Sequence, residues 1–451
     1  MDHLSLSAAV PGGDHRPEVL RSWRSARRRV VWSVLVVFIA YLALVVTSSL
    51  RTPAWENDDE LGHTIYAEYV VQHRVLPPIA VANGDESHQG PLYYVLLGGF
   101  QTALRIPAFQ PQLPPAAAHR PGRGTPYLLS HDYTSEQHQQ AVWLHSLRFF
   151  SVSCGLLTVL ATYLTGWLLT RRTSVAAAMA ATVATWPKFL VISAAVTNSA
   201  LVDALCACAL PCWLLWHRSR SPRLAAVTGL VLGAAVLTQV TALPLTALLL
   251  LSMLITAIGR RDWLSPLLAS GCATAVCGWW FIRNAVLYGD PLATSTTNAN
   301  MLAIFPGLHL IRSPPSLSPS VIRQMLSVAE HSFWYSAGWD QLLLPRPVND
   351  VLWVLAGLSI LAALCMRRGL HLVSVAVVIA SIVAWLLIIR STTHGQGRYL
   401  LTGVTAWATL LVMGSTRIGP RRQWQPWVWP IVFLSLDGYV ILSTLIPYGG
   451  L

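Results

Sequence analysis

The sequence VVWSVLVVFIAYLALVVTSSL, residues 30–50, is followed after one arginine by TPAWENDDELGH, residues 52–63. The first segment holds 21 uncharged residues, enough to cross a hydrocarbon core of about 30 Å as a helix. The preceding RSWRSARRR, residues 21–29, is strongly basic, which favours a cytoplasmic N-terminus. We therefore expect an uncleaved membrane anchor that delivers a dense acid cluster to the outer face.

The composition places the whole chain in the membrane. Hydrophobic residues make up 54% of the 451 residues and charged residues only 11%, which is typical of a multi-pass membrane protein. The net charge of +12 comes from short basic clusters between apolar runs, a pattern that excludes a nucleic-acid-binding face. The seven cysteines lie in apolar segments, which excludes a disulfide framework in the loops.

Eleven apolar segments predict an all-α polytopic membrane protein with about 11 transmembrane helices. They are residues 30–50, 147–170, 174–195, 198–216, 224–239, 240–259, 264–285, 350–366, 371–389, 399–416 and 427–446. A further segment, residues 91–104, is apolar but only 14 residues long. If it does not cross, every tight arginine cluster between spans falls on the cytoplasmic side, as the positive-inside tendency favours. We therefore place it at the interface.

This topology divides the chain into a cytoplasmic basic segment, residues 1–29, and one transmembrane domain, residues 30–451. The domain has two long outer loops, residues 51–146 and 286–349, and the first contains nine of the 19 carboxylates. We expect both loops to contain juxtamembrane helices. Polar chemistry is therefore predicted on the outer face.

The acid cluster itself has the spacing of a helix start. Asn57 with Glu60 three residues later matches an Asx form of the capping box. From there Asp59, His63 and Tyr66 share one helical face. The plain structural alternative is that the acids cap a helix and solvate a loop, but their position at membrane depth, where unpaired charge is costly, favours a functional site.

Several stretches resemble one membrane enzyme family. DDELGHTIYAEYVVQHRVLPP, residues 58–78, and ESHQGPLYYVLLGG, residues 86–99, resemble the first outer loop of the GT-C superfamily of polyprenyl-phosphate-sugar-dependent glycosyltransferases. The similarity is to its protein-mannosyltransferase and aminoarabinose-transferase-like bacterial branch. VTNSALVDAL (196–205), GWWFIRNAVLYGDPL (278–292) and GQGRYLL (395–401) resemble the same branch in the same order. Ser199 stands where this branch often has Asp, and Gly90 replaces the first residue of a Pro-Pro pair.

The resemblance implies a GT-C-like fold with juxtamembrane helices in the outer loops. It implies a catalytic Asp in the first outer loop, a polyprenyl-phosphate sugar that enters from the bilayer, and inverting transfer. At family level it implies mannose as the sugar. The expected location is the bacterial cell membrane, with the active site on the outer face.

The chemistry needs a base for the acceptor hydroxyl and cations for the departing phosphate. We predict Asp59 as the base, with Glu60 as its catalytic neighbour and His63 as the group that orients it. Arg398 with His394 is predicted to bind the leaving phosphate, and Arg283 with Asn284 is the second candidate pair; interfacial anchoring is the alternative for both arginines. Further candidate substrate contacts are Glu56, Asp58, His63, His88, Gln89, Tyr93, Asp290 and Tyr399.

No cofactor or metal is expected, because a lipid monophosphate sugar carries its own leaving group. A divalent cation held by Asp58, Asp59, Glu60 and His63 is the open alternative. The expected partners are the lipid-linked sugar donor, membrane lipids and a hydroxyl-bearing acceptor, either a peptide, a glycan or a secondary metabolite.

Three other functions remain open from the sequence. A transporter or flippase of a lipid-linked sugar would also need many spans, although its usual signs, repeat symmetry and paired broken helices, are not evident in the sequence. A sugar-polymerising or ligating enzyme with a diphosphate-linked donor and a catalytically dead scaffold are the others.

Overall fold

A computed structural model describes residues 16–111, 134–304, 318–338, 340–366, 371–391, 395–420 and 422–445, with the backbone alone for 16–30. These ranges are almost entirely helical. The helices are α1 (Arg16–Arg51), α2 (Glu60–His73), α3 (Leu92–Ala103), α4 (Ser135–Thr170), α5 (Thr173–Ala184), α6 (Pro187–Ser193), α7 (Asn198–Ser219), α8 (Pro222–Thr238), α9 (Leu243–Arg260), α10 (Leu264–Tyr288), α11 (Thr294–Ile304), α12 (Pro319–Trp334), α13 (Arg346–Leu364), α14 (His371–Ser391), α15 (Val404–Ser415) and α16 (Val428–Val440). A two-residue hairpin joins β1 (Ser336–Ala337) to β2 (Leu342–Leu343) in antiparallel register.

Short 3₁₀ segments connect several helices. They are Val81–Asn83, Asp85–His88, Val240–Ala242, Gly397–Gly403 and Gln425–Trp427, and a π-helical turn, Ile441–Leu445, follows α16. Two of them lie in motifs that the sequence analysis singled out, at residues 85–88 and 397–403.

The predicted spans are helical, but their number is smaller by the criterion of helix length. Within the described ranges, eight helices are long and apolar enough to cross a membrane, or nine if the bent pair α5 and α6 forms one span. That pair bends by 65° between Ala184 and Pro187, where proline removes a helical hydrogen bond. The predicted count of eleven is therefore not confirmed: α8 has only 17 residues, and α15 has 12 residues after a 3₁₀ segment.

The short apolar segment at residues 91–104 forms α3, which has 12 residues. A helix of this length rises about 18 Å, well short of a hydrocarbon core of about 30 Å. It packs against α2, α4, α7 and α8. Its N-terminal end is held close to α8, because a Cβ on Gly90 would lie 2.1 Å from the carbonyl oxygen of Leu237. The loss of a proline at position 90 therefore coincides with a contact that only glycine permits.

The helices are closely packed where small residues face each other. On α8, a Cβ at Gly229 or Gly233 would clash with the backbone of α10 at Ala269 and Ala273, the close approach that small residues four apart permit in membrane helices. A buried aromatic cluster joins α6, α12, α13, α15 and α16; it consists of Trp186, Phe333, Trp334, Trp353, Trp407, Trp429 and Phe433. Two helices of this cluster, α6 and α12, also contact β1 and the Gly397–Gly403 segment.

Candidate active site

The acid cluster lies in the turn between α1 and α2. The predicted helix cap at Asn57 is wrong: α2 begins at Glu60, and Asp59 occupies the N-cap position with a left-handed φ of 61°. Trp55 in the same turn has a φ of 68°. Left-handed backbone at residues other than glycine is strained and is concentrated at functional sites.

The reason for the different helix start is the partner of Glu60. In a capping box this side chain would turn back to the N-cap backbone. Here both carboxylate oxygens bind Arg148 of α4, at 2.8 and 2.7 Å, and they also accept the backbone N–H groups of Trp55 and Val196. The Glu60 side chain is therefore committed to the protein interior.

Arg148 completes this anchor. It donates to the carbonyl oxygens of Ser49, Thr52 and Pro53 at 2.8, 2.5 and 2.8 Å. The side chains of Arg148 and Glu60 are both 0% exposed. The pair thus connects the end of α1, the acid turn, α4 and the segment before α7. Burial and the nearby Glu60 also raise the pKa of Glu56 to about 8, so Glu56 is mostly protonated at neutral pH.

Asp59, the neighbour of Glu60, points the other way. Its carboxylate forms an ion pair with Arg398, at the beginning of the Gly397–Gly403 segment. The Asp59 side chain remains 23% exposed, whereas that of Arg398 is 9% exposed. Arg398 also donates to the Tyr399 hydroxyl at 3.3 Å and lies over its ring. The structure therefore brings together the predicted base, the predicted phosphate ligand and Tyr399.

Gly397 explains how Arg398 reaches this position. A Cβ at Gly397 would lie 2.6 Å from the carbonyl oxygen of Ala329 and from the backbone of Phe333 in α12. The Gly397 N–H donates to the Ser332 hydroxyl at 2.8 Å. Glycine thus lets the GQGRYLL motif lie flat on α12 and present its arginine to the acid turn.

Two acids that the sequence analysis did not select, Asp85 and Glu86, lie beside Asp59. Within the described residues, one oxygen from each of the three carboxylates lies within 4.8 Å of the others, a grouping that could hold a cation. Burial, Asp59 and Asp85 raise the pKa of Glu86 well above its usual value. Gly62 makes the approach possible, because a Cβ there would lie 2.2 Å from Asp85 Oδ1.

Asp58 belongs to a second group, the Asp58 cluster, which consists of Asp58, Lys188, Asp340 and Gln396. Asp58 Oδ2 lies 3.6 Å from Lys188 Nζ and 3.5 Å from Gln396 Nε2. Asp340 shares the same two partners, at 4.0 Å from Lys188 Nζ and 2.7 Å from Gln396 Nε2. Burial raises the pKa of Asp58 to about 6, with Lys188 acting in the opposite direction.

His63, Tyr94 and Tyr66 form the layer behind Asp59. His63 Nδ1 lies 2.8 Å from the Tyr94 hydroxyl and Nε2 lies 3.3 Å from the Thr197 hydroxyl, and Tyr94 stacks on Tyr66 at 3.7 Å. Burial lowers the pKa of His63 to about 3, so the ring is neutral. Both ring nitrogens are thus engaged with Tyr94 and Thr197, so the geometry gives no support to His63 as the group that orients Asp59.

His88, Gln89 and Tyr93 connect this layer to the neighbouring segments. His88 Nδ1 lies 2.8 Å from the Asp85 carbonyl oxygen, and burial lowers the pKa of His88. Gln89 accepts from the Asn198 side chain at 3.2 Å, and Tyr93 bonds the Ser151 hydroxyl at 2.9 Å. These contacts connect the segment between α1 and α4 to α4 itself and to the VTNSALVDAL motif at the start of α7.

The second predicted phosphate pair has backbone partners. Arg283 donates to the Pro77 carbonyl oxygen at 3.3 Å and lies over Trp280, while Asn284 donates to the Pro291 carbonyl oxygen. Asp290 accepts hydrogen bonds from the backbone N–H groups of Leu292 and Thr294 at 3.0 and 2.6 Å. These are the contacts of a turn residue, so its carboxylate is occupied by the backbone. His394 lies outside the described residues.

The chain is similar to known proteins in part of its sequence and in its fold. The family model for dolichyl-phosphate-mannose-protein mannosyltransferase matches residues 124–297. Two solved structures share the fold over 91% and 92% of this chain: ArnT from Cupriavidus metallidurans bound to undecaprenyl phosphate, at 14% identity and a TM-score of 0.52, and the apo oligosaccharyltransferase from Archaeoglobus fulgidus, at 13% identity and 0.50. A search of curated protein sequences finds no significant match.

These matches confirm the resemblance to the GT-C glycosyltransferases and the predicted all-α membrane fold. The family match over residues 124–297 agrees with the predicted glycosyltransferase activity. The chain spans 65% of the length of the ArnT structure and 55% of the oligosaccharyltransferase.

Proposed function

We propose that the protein transfers a sugar, mannose in the first instance, from a polyprenyl-phosphate donor to an acceptor hydroxyl on the outer face of the membrane. The observation that carries the proposal is the partly exposed ion pair between Asp59 and Arg398, on a strained turn that a buried anchor holds in place. The donor class is supported by the match to the dolichyl-phosphate-mannose-protein mannosyltransferase family and by the similarity in fold to ArnT, whose structure contains undecaprenyl phosphate.

In the proposed reaction, the Asp59 carboxylate accepts the proton of the acceptor hydroxyl. At the same time the hydroxyl oxygen of the acceptor attacks the anomeric carbon of the sugar. The bond from that carbon to the phosphate oxygen breaks, and polyprenyl phosphate leaves with the electron pair. Arg398 stabilises the charge that develops on the phosphate, because a guanidinium presents two parallel donors and stays ionised. Attack opposite the leaving group inverts the anomeric configuration.

The ion pair sets the order in which Arg398 binds the phosphate and Asp59 accepts the proton. Before the donor binds, Nη2 of Arg398 donates to Asp59, while among the described residues Nε of Arg398 has no partner. A phosphate that binds Nε and Nη2 together releases the carboxylate for the acceptor proton. The base therefore becomes available when the leaving group is in place, which limits loss of the donor to water.

Glu60 and Glu56 have other roles in this proposal. Glu60, predicted as catalytic, is assigned to positioning, because all its contacts are with Arg148 and the backbone and its side chain is 0% exposed. Glu56 is a buried neighbour of the same anchor. Asp59 alone among these acids combines exposure with a cation that can bind phosphate.

The test is transfer of radiolabelled mannose from polyprenyl-phosphate mannose into extractable acceptors, with polyprenyl-phosphate glucose as a parallel donor. Membranes would contain the wild-type protein, Asp59→Asn or the matched control Asp350→Asn, which changes an exposed acid at the start of α13. Removal of a general base lowers the rate by about 100-fold to 10,000-fold. Equal transfer by Asp59→Asn would remove Asp59 as the base, and no transfer from either donor by the wild type would favour a transporter.

A further inference from the structure

The Asp58 cluster contains buried oxygens that lack donors. Among the described residues, none donates a hydrogen bond to Asp58 Oδ1, Asp340 Oδ1 or Gln396 Oε1, and all three atoms are shielded from water. Asp58 and Gln396 are each 8% exposed. A buried acceptor without a donor costs free energy, so native proteins usually satisfy it. Three such atoms around one pair of shared partners indicate a ligand that donates.

The charge of the cluster points in the same direction. Lys188 donates to the carbonyl and hydroxyl oxygens of Ser336 at 3.0 and 2.5 Å, and it lies between Asp58 and Asp340. One ammonium therefore faces two carboxylates. The ligand that would complete this group carries hydrogen-bond donors and a positive charge, which excludes a phosphate or a carboxylate.

The cluster opens beside the proposed base. Asp340 lies in the turn of the β1–β2 hairpin with a left-handed φ of 60°, and its side chain is 22% exposed. Asp58 immediately precedes Asp59, whose side chain is exposed to a similar degree. A substrate that presents a hydroxyl to Asp59 can therefore place a neighbouring group against the cluster.

We propose that the Asp58 cluster binds a primary ammonium group that the acceptor carries close to the hydroxyl that is glycosylated. An ammonium offers three donors, which equals the number of oxygens without one, and its charge offsets the second carboxylate. This inference rests on the proposed function, and it identifies the acceptor as an amine-bearing compound, either an amino sugar or a lysine-containing peptide.

The test measures binding of small probes to the purified full-length protein in lipid nanodiscs, without any donor. One arm compares methyl glucosaminide with its N-acetyl derivative, and the other compares a threonine–lysine dipeptide with its acetyl-lysine form, each dipeptide blocked at both ends. We expect the free amine of at least one pair to bind about tenfold more tightly or better, since charge-assisted hydrogen bonds are the strong ones. The arm that shows the preference identifies the source of the amine.

The variant Asp340→Asn should abolish that preference. Asparagine tolerates the left-handed conformation at this position, keeps the shape of the side chain, removes its charge and replaces one acceptor oxygen by an NH₂ donor. Unchanged elution and melting temperature would verify folding. The control Asp350→Asn should keep the wild-type preference. Equal binding of amine and N-acetyl probes in both arms, or a preference that survives in Asp340→Asn, would overturn the inference. Because no donor is present, these outcomes are independent of the mannose transfer assay.

Discussion

Asp59 and Glu60 are adjacent, and each forms an ion pair with an arginine far along the chain, yet their surroundings differ in every other respect. Glu60 and Arg148 are fully buried and make several further hydrogen bonds to the backbone. The Asp59 side chain is 23% exposed, and it pairs with an arginine whose side chain is 9% exposed. The difference separates an anchor from a reactive group.

The physical reason lies in the cost of moving each pair. A buried charge that loses its partner is strongly destabilising, so the Glu60–Arg148 pair cannot exchange its partners during a reaction cycle. The Asp59–Arg398 pair can exchange, because solvent and substrate reach one of its members. The backbone of Asp59 is left-handed, and the two neighbouring side chains reach different partners, Arg398 and Arg148.

The largest effect is expected from Arg148→Met. It leaves Glu60 buried without its counter-ion, which should lower the free energy of unfolding by about 3–5 kcal/mol. Thermal or denaturant unfolding in detergent would measure the loss, with Arg346→Met, at an exposed arginine at the start of α13, as control. An unchanged melting temperature would contradict the anchor assignment.

Arg398→Lys should lower the rate of sugar transfer by about 100-fold, because lysine keeps the charge but loses the planar pair of donors. Arg283→Lys should have a much smaller effect, since its guanidinium binds backbone and an adjacent amide. Initial rates at saturating donor would compare the two variants. A larger loss for Arg283→Lys would move the leaving phosphate to the second pair.

A smaller effect is expected from pH. The groups that face Asp58 are Lys188, Asp340, Arg398 and Asp59, and the resulting pKa of Asp58 is about 6. Transfer should therefore decline as the pH falls through about 6, and Asp58→Asn should lose this limb of the rate profile. For stability the sign is opposite: the folded pKa lies above 3.8, the ordinary value of an aspartate, so the contribution of this group is present below about pH 4 and lost as pH rises through about 6. A limb that persists in Asp58→Asn would assign the titration to another group.

The smallest effect is expected from chelation. The carboxylates of Asp59, Asp85 and Glu86 could hold a divalent ion, but Arg398 already pairs with Asp59 and a monophosphate leaving group does not require a metal. Transfer should keep its rate after dialysis against a chelator. A loss that Mg²⁺ or Mn²⁺ restores would show that the three carboxylates bind a catalytic metal.

The sequence predicted the elements better than their contacts. Apolar length predicted the helices, although not the count of spans, and the short length of residues 91–104 predicted a helix too short to span. The spacing of the acids predicted a helix start but placed it at Asn57, because nothing local shows that Glu60 binds a residue 88 positions away. The positive φ of Asp59 follows from that distant contact.

Arg148, Lys188 and Asp340 differ in how far the sequence alone indicates their roles. Arg148 is a charge within an apolar helix, which is a recognisable signal of a buried functional or structural role. Lys188, the single lysine of the chain, is buried against Asp58, which only the bend between α5 and α6 makes possible. Asp340 has no local pattern, because its role depends on the β1–β2 hairpin, which brings it to Lys188 and Gln396.

The most direct measurement of the central claim compares Asp59→Asn with Glu60→Gln, each assayed for mannose transfer and for melting temperature. We predict opposite results for the two variants. Asp59→Asn keeps the wild-type melting temperature, and its rate of mannose transfer falls by about 100-fold or more. Glu60→Gln has a clearly lower melting temperature. Any loss of transfer in Glu60→Gln should follow the loss of folded protein. Wild-type transfer by Asp59→Asn, or a stable Glu60→Gln protein without transfer, would contradict the division into reactive group and anchor.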